Sequence, residues 1–126
     1  MQLSPADQYS IINRIEEEVA ITTYKAMDKS NNRPVMITEL QKNERSAAFL
    51  KEMEWRKDCN SNCILQYYDY CEHNDNYWLI MEDCECGSLR QCQYLVNRWR
   101  AQELSAIASC CLLALDFLHS RSIMHG

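Results

Sequence analysis

Short runs of apolar and β-branched residues near the start of the chain predict strands. Residues 9–15, 22–27 and 33–40 each have the length and the residue types of a strand. Residues 29–32, which join the second run to the third, include two asparagines, and asparagine tolerates the left-handed geometry of tight turns. The first forty residues therefore predict three strands in succession.

The apolar spacing then becomes helical. Residues 44–57 carry apolar side chains among charged ones, which predicts a moderately amphipathic helix. Two aromatic and β-branched runs, 64–71 and 77–82, flank the polar stretch 73–76 and predict a hairpin. Three strands, one helix and two strands favour an α+β fold in which one helix packs on a five-stranded antiparallel sheet.

A long apolar helix is predicted in the last third of the chain. Its apolar residues recur every three or four positions and form one stripe that we expect to be buried. They are Leu104, Ile107, Ala108, Cys111, Leu112, Leu115 and Leu118. The longest apolar stretch, 107–118, contains Ser109 and Asp116 and is shorter than the ~20 residues of a membrane span, so no membrane span is expected.

Net charge, the N-terminal segment and the number of glycines argue against several classes of function. The sequence has 13 Lys and Arg against 18 Asp and Glu, a net charge of −5, so we expect no nucleic-acid binding, which needs a basic surface. The N-terminus lacks a basic segment followed by an apolar one, so no secretory signal is expected and a cytoplasmic location is predicted. The sequence has only 2 glycines, Gly87 and Gly126, which leaves few for a phosphate-binding loop.

Cysteine is abundant, with 8 residues. Without a secretory signal, we expect reduced thiols, mostly buried as small apolar side chains. No pair has the two-residue gap typical of zinc knuckles, so a metal site is the weaker alternative. The cysteines are Cys59, Cys63, Cys71, Cys84, Cys86, Cys92, Cys110 and Cys111.

Several segments resemble, in chain order, the motifs of the protein kinase family. The segments 23–26, 35–38, 61–65, 78–84, 115–120 and 123–126 resemble V-Y-K-A, V-A-I-K, H-P-N-I-V, W-I-V-M-E-Y-C, G-L-x-Y-L-H-S and I-I-H-R. Each match is weak alone, but their common order is specific. The pattern is similar to that of the germinal-centre branch of the sterile-twenty serine/threonine kinases.

This resemblance implies a domain organisation. Residues 1–8 would form a tail, 9–82 the small lobe with the family's helix C, 83–88 the hinge, and 89–126 helices D and E of an incomplete large lobe. The chain stops at the position of the family's H-R-D motif, so the resemblance implies a truncated domain that lacks the catalytic Asp and the metal-binding residues.

The phosphate loop implied by the resemblance is altered. Glu16, Glu18 and Ile21 stand at its three glycine positions, and Glu17 lies between the first two. Glycines let backbone N–H groups approach phosphates closely, whereas these side chains obstruct that approach. We expect the carboxylates to repel a polyanion. A solvated acidic turn is the simpler interpretation, and a docking surface for a basic partner is the alternative.

The catalytic positions implied by the resemblance are also degenerate. Thr38 replaces the strand-three Lys that holds the nucleotide phosphates. Glu52 matches the helix C Glu, but its usual partner is missing. Arg56 replaces an apolar residue of the column that joins the two lobes. His125 and Gly126 occupy the start of the catalytic loop, and no catalytic residue is predicted.

Backbone recognition of adenine at the hinge could survive these changes. We do not expect Lys25, which lies two residues from Thr23, to replace the missing lysine. The weak candidates for lining an adenine slot are Ile15, Thr23, Met36, Met81, Glu82 and Cys84. Since several of them are ordinary core residue types, packing is the simpler explanation.

Three functional hypotheses follow. The first is a truncated, catalytically impaired pseudokinase that acts as a protein-binding or regulatory module, through a protein partner or through self-association of the exposed large-lobe helix. The second is a partial sequence of a serine/threonine kinase that transfers the ATP γ-phosphate to protein. The third is a nucleotide-binding switch. We expect no tightly bound cofactor and no metal, since ATP and magnesium are implied only by the resemblance.

Overall fold

The computed structural model describes residues 5–84, 88–93 and 98–123. Five antiparallel strands form one sheet in the order β1-β2-β3-β5-β4. The strands are β1 (Tyr9–Glu18), β2 (Ile21–Asp28), β3 (Arg33–Gln41), β4 (Tyr67–His73) and β5 (Asn76–Glu82). The helices are a 3-10 turn (Pro5–Gln8), α1 (Glu44–Arg56), α2 (Leu89–Gln93) and α3 (Ala101–Ser120). This arrangement confirms the predicted α+β fold class.

All five strands differ from their predicted bounds, and β1 and β4 differ by more than one residue at an end. β1 was expected to end at residue 15, but it continues to Glu18 because its last three residues pair with Ile21, Thr22 and Thr23 of β2. β4 was expected to start at residue 64, but it starts at Tyr67. The residues before it form a turn instead, in which the Ile64 N–H donates to the Ser61 carbonyl at 3.2 Å.

Residues 5–59 and 66–83 belong to one compact unit, in which both faces of the sheet carry apolar side chains. Side chains alternate between faces along a strand, so β3 and β5 each contribute to two clusters. One cluster contains Val35, Ile37 and Ile80, and the other joins Met53 of α1 to Leu79 and Met81. The second cluster fixes α1 on what we call the α1 face of the sheet.

Residues 60–65 and 84–123 belong to a second unit, which contains α2 and α3. The predicted apolar stripe of α3 forms as a helix, but the expectation that it is buried is wrong. Leu104 is 51% and Leu112 is 67% exposed, and within α3 only Leu118 is buried. The described part of this unit offers only the short α2 as a second helix, which is too little to cover twenty residues.

The length of α3 bears on the expectation that the chain has no membrane span. The helix has 20 residues, and an 18-residue window of it has a mean hydropathy of 1.5, so by length and composition it could cross a membrane. The interruptions at Ser109 and Asp116 do not shorten it, since both are inside the helix. A core helix from a larger globular lobe meets the same criterion, so this observation assigns no location.

The seven described cysteines are free thiols, and their burial varies. Cys59 is buried, but Cys84 and Cys111 are exposed, so the expectation of buried thiols is wrong for these two. Burial raises the pKa of Cys71 to about 11, with a smaller contribution from Asp69, so this thiol stays protonated at neutral pH. Cys86 and Gly87 lie outside the described residues. Among the described residues, no group of three or more His, Cys, Asp or Glu could hold a metal ion.

Candidate functional site

The register of β2, β3 and β5 brings several predicted site residues onto one face of the sheet. Thr23 pairs with Thr38, Thr38 with Leu79, and Met36 with Met81. Residues directly opposite each other in a sheet share a face. Because Leu79 and Met81 pack against Met53 of α1, this is the α1 face. The sequence-predicted residues Thr23, Met36, Thr38 and Met81 therefore lie together.

The remaining adenine-slot candidates are placed differently. Ile15 lies at an irregularity of the β1–β2 pairing and is 44% exposed. The Glu82 N–H donates to the Gln66 carbonyl at 2.9 Å, and its carboxylate accepts from the Gln66 N–H at 2.7 Å. Cys84 is exposed and belongs to the second compact unit. The structure thus groups three of the six candidates, Thr23, Met36 and Met81, with Thr38.

The three glutamates at the end of β1 do not share one face. Glu16 pairs with Thr23 and so lies on the α1 face, whereas Glu17 pairs with Thr22 and points to the opposite one. The Glu17 carboxylate also forms an exposed ion pair with Arg14 at 2.9 Å. The expectation that all three carboxylates would face a phosphate group is therefore wrong for Glu17.

The β1–β2 turn is a two-residue connection formed by Val19 and Ala20. Ala20 has a φ of 69°, which is in the left-handed region. That conformation costs a residue with a Cβ about 1 kcal/mol. The turn therefore adopts a geometry that suits glycine without having one, and the Val19 side chain at its tip is 97% exposed.

An open cleft of about 630 Å³ lies between this turn, the α1 face and the first turns of α1. We call it the sheet–helix cleft, and all its lining residues belong to the first compact unit. Its lining residues are Val19, Ala20, Ile21, Thr38, Leu40, Gln41, Asn43, Arg45, Ser46, Phe49, Tyr67, Leu79 and Met81. Thr38 thus opens onto a mainly apolar cleft. Sequence reasoning missed Arg45 and Phe49, although their i,i+4 spacing places them on one side of α1.

Glu52 and Arg56 form a pair within α1. Their side chains lie 2.9 Å apart at i,i+4 spacing and are 47% and 29% exposed. The Arg56 guanidinium also lies 4.6 Å from the centre of the Phe49 ring and 5.9 Å from that of Tyr67. The usual partner of Glu52 was expected to be missing, and Arg56 supplies another cation.

Lys25 is also paired, at the end of β5. Its ammonium lies 3.6 Å from the carboxylate of Asp83, whose side chain is only 7% exposed. Lys25 is opposite Met36 in the β2–β3 register, two pairs further along than Thr23 and Thr38 and on the same face. This cation therefore neutralises a nearly buried carboxylate. Sequence reasoning missed Asp83, whose role depends on a contact between distant residues.

The described residues do not fit a bound triphosphate well. The α1 face offers neutral Thr38 where a cation would be needed, and it carries the carboxylate of Glu16. Lys25 and Arg56 are each held in an ion pair. The predicted positions His125 and Gly126 lie outside the described residues, so the structure places neither of them.

Comparison with known proteins tests the resemblance. The protein kinase domain family matches residues 18–126. Two serine/threonine-protein kinases of Dictyostelium discoideum are similar: pakH, 27% identical over 120 residues, and pakG, 31% identical over 105 residues. A third protein of that organism, serine/threonine-protein kinase 4 homolog B, is 27% identical over 122 residues.

These alignments cover 93%, 82% and 96% of this chain. The chain spans only 23%, 9% and 11% of the respective relatives. The family match includes the sheet from the end of β1, together with α1, α2 and α3, so sequence similarity and fold agree. The chain therefore belongs to the protein kinase family.

Proposed function

We propose that this domain is a pseudokinase-like member of the family that acts as a protein-binding or regulatory module. The observation that supports this most is Thr38, which occupies the position of the strand-three lysine and opens onto the sheet–helix cleft. Phosphoryl transfer in this family needs a lysine cation on the nucleotide phosphates. A threonine hydroxyl supplies no such charge.

The Glu52–Arg56 pair is a second line of support. In an active kinase the helix C glutamate holds the strand-three lysine. Here the Glu52 carboxylate lies 2.9 Å from the Arg56 guanidinium, one turn along its own helix. Lys25 is 3.6 Å from Asp83, so neither cation is available for phosphate. Both halves of the usual Lys–Glu pair are therefore changed.

Tight nucleotide binding is not part of the proposal. The carboxylate of Glu16 shares the α1 face with Thr38. Two like charges at 4 Å repel by about 1 kcal/mol in water and about 4 kcal/mol at an effective dielectric constant of 20. Each such contact therefore weakens triphosphate binding, so we expect neither ATP nor magnesium to be held tightly.

The proposed binding surface for a protein is the exposed apolar side of α3. Leu112 and Leu113 are 67% and 61% exposed, and large exposed apolar patches generally mark interaction sites. A protein partner would bury these leucines, and a second copy of the chain is the other outcome of the test given in the Discussion. A cytoplasmic location stays a prediction.

The alternative is that the sequence is part of a longer serine/threonine kinase. Two observations favour it: the similar proteins are serine/threonine-protein kinases, and the chain spans 9–23% of them. Further chain would then supply the catalytic Asp and the metal ligands, and would cover α3. Thr38 would still be expected to make γ-phosphate transfer to protein inefficient.

A thermal-shift titration of the chain with ATP, with and without magnesium, tests the proposal. A ligand at 100 times its Kd stabilises a protein by about 2.7 kcal/mol, which is an easily measured shift. We expect no saturable rise in Tm with either form of the nucleotide. A saturable rise that requires magnesium would contradict the proposal and favour the kinase alternative.

A further inference from the structure

Two cysteine side chains of the second compact unit lie in contact. Cys63, in the segment before β4, and Cys110, on α3, are joined by a hydrogen bond between their thiols. Both residues belong to this unit, and both are half-buried. Two thiols in contact differ from single ones, because one sulfur can attack a bond that the other has formed with an oxidant.

The backbone around each thiol positions it for this contact. Cys63 lies in a short turn, where its N–H donates to the Ser61 hydroxyl at 3.3 Å and the Ile64 N–H donates to the Ser61 carbonyl at 3.2 Å. Cys110 is inside α3, where consecutive side chains point about 100° apart, so the neighbouring Cys111 points elsewhere and is exposed. A disulfide bond is about 2.05 Å long, so oxidation needs a closer approach, which a turn accommodates more readily than a helix does.

The two thiols differ in the order in which they react. The hydrogen bond between them raises the pKa of Cys110, so this thiol keeps its proton at neutral pH. Because the thiolate is the nucleophile in disulfide exchange, Cys110 is a poor first attacker. Cys63 therefore reacts first, and Cys110, which already lies beside it, completes the bond.

We propose that Cys63 and Cys110 form a redox modification site, at which a small-molecule disulfide such as oxidised glutathione produces a reversible disulfide within the chain. The Cys63 thiolate attacks one sulfur of the oxidant, breaks its S–S bond and releases one glutathione thiolate. Cys110 then loses its proton, and its sulfur attacks that of Cys63 and releases the second glutathione. Two protein thiols are thus oxidised, one small disulfide is reduced to two thiols, and the cysteine protons pass through solvent to the released thiolates.

The disulfide would fasten α3 to the segment that joins α1 to β4. The loop that it closes contains β4, β5 and α2, so the bond would restrict the unfolded chain and thereby stabilise the folded one. We expect the Tm to rise by about 5–10 °C on oxidation. The proposal does not depend on the pseudokinase assignment, because it involves thiol chemistry alone and no phosphoryl transfer.

The test exposes the dilute chain to mixtures of reduced and oxidised glutathione, stops exchange with acid and alkylates the remaining thiols. A peptide map made without reduction and read by tandem mass spectrometry then locates each disulfide. We expect a peptide pair linked through Cys63 and Cys110, and a rise in Tm that dithiothreitol reverses. Cys110→Ser should abolish the rise in Tm and leave glutathione bound to Cys63. The matched control is Cys111→Ser, which removes the adjacent exposed thiol and should keep both the link and the rise in Tm.

Three outcomes would overturn the proposal. The first is a map in which Cys63 and Cys110 are alkylated while the exposed Cys84 and Cys111 carry glutathione. The second is a disulfide that joins Cys110 to a cysteine other than Cys63, or that joins two chains on a gel run without reductant. The third is a Cys111→Ser variant that loses the rise in Tm as fully as Cys110→Ser does.

Discussion

Single side chains on the two faces of the sheet have contrasting roles. On the α1 face, Thr38 lines the sheet–helix cleft, at the position that the resemblance assigns to the family's lysine. At the other end of β2, Asp28 is 4% exposed and accepts hydrogen bonds from Gln8 and Ser30. Thr38 bears on ligand binding and Asp28 bears on stability, so each residue is tested with its own variant.

Replacing Thr38 with lysine should not restore a nucleotide site. The new ammonium would enter the apolar cleft while Glu52 is held by Arg56, so we expect Thr38→Lys to lower the Tm and to leave ATP binding undetectable. Adding Arg56→Leu releases Glu52, so Thr38→Lys should cost less stability in that background. Equal costs in the two backgrounds, measured by thermal unfolding, would contradict this interpretation.

Asp28 makes stability depend on pH. Burial alone would raise the pKa of its carboxyl, but hydrogen bonds from Ser30 and Gln8 outweigh it and hold the pKa below the ordinary value of 3.8. A group with a depressed folded pKa contributes stability above its unfolded pKa, and this contribution is lost as the pH falls through the folded pKa. Asp28→Asn should therefore cost about 1 kcal/mol near neutral pH.

Urea unfolding across the acid range measures this effect. The difference between the parent chain and Asp28→Asn should shrink as the pH falls below about 4. Asp75→Asn is the control, since Asp75 is an exposed turn residue with a left-handed φ that asparagine also tolerates. A difference that stays constant across the acid range would show that the Asp28 charge does not stabilise the fold.

Among the elements, α1 combines packing and charge most closely. Met53 anchors it on the sheet, while Arg56 contacts Glu52 and lies over the Phe49 ring. Its start is fixed by reciprocal hydrogen bonds: the Asn43 side chain accepts from the Ser46 N–H, and the Ser46 hydroxyl accepts from the Asn43 N–H, both at 2.9 Å. This capping positions the first turns of α1 beside the cleft.

Packing should contribute more than charge at Arg56. An exposed i,i+4 ion pair is worth about 0.3–0.5 kcal/mol, whereas a cation over an aromatic ring adds about 0.5–1 kcal/mol and the alkyl stem covers apolar surface. We expect Arg56→Ala to destabilise the chain more than Glu52→Ala does, with a coupling energy below 1 kcal/mol in a double-mutant cycle. Equal single-variant costs would mean that the ion pair dominates.

At the scale of the whole molecule, the two compact units differ in how they use apolar residues. The first buries them on both faces of its sheet, while the second exposes most of α3. The relatives are about four to eleven times longer than their aligned segments. In a chain of that length, residues outside the aligned segment would be able to cover the helix that corresponds to α3. For the chain as given, the exposed leucines predict association.

Sedimentation velocity of the 14.9 kDa chain measures that association. We expect concentration-dependent oligomers, and we expect a Leu112→Lys, Leu113→Lys variant to shift the distribution toward monomer. Val19→Lys is the control, because Val19 is 97% exposed but lies at an isolated turn. A parent chain that stays monomeric at every concentration would contradict self-association.

The sheet and α1 could be predicted from sequence because their apolar patterns are local: short apolar and β-branched runs in the strands and apolar residues among charged ones in α1. The face of Glu17 could not, since β1 was predicted to end at residue 15, and the alternation of faces reaches Glu17 only because the strand continues to Glu18 by pairing with β2. The Lys25–Asp83 contact joins residues far apart in sequence, and no local pattern indicates it. The exposure of α3 did not follow from its apolar stripe, which shows which side a helix would bury but not what covers it; an exposed helix was expected only from the resemblance, which implies an incomplete large lobe.

The contact between Glu52 and Arg56 also has an evolutionary consequence. It makes the effect of regaining a lysine at position 38 depend on a second site, because the carboxylate that would receive the new cation already has a partner. Because we expect Thr38→Lys alone to lower stability, a lineage that carries both residues would need changes at both positions to form the usual Lys–Glu pair. The effect of a lysine at position 38 would then depend on which residue occupies position 56.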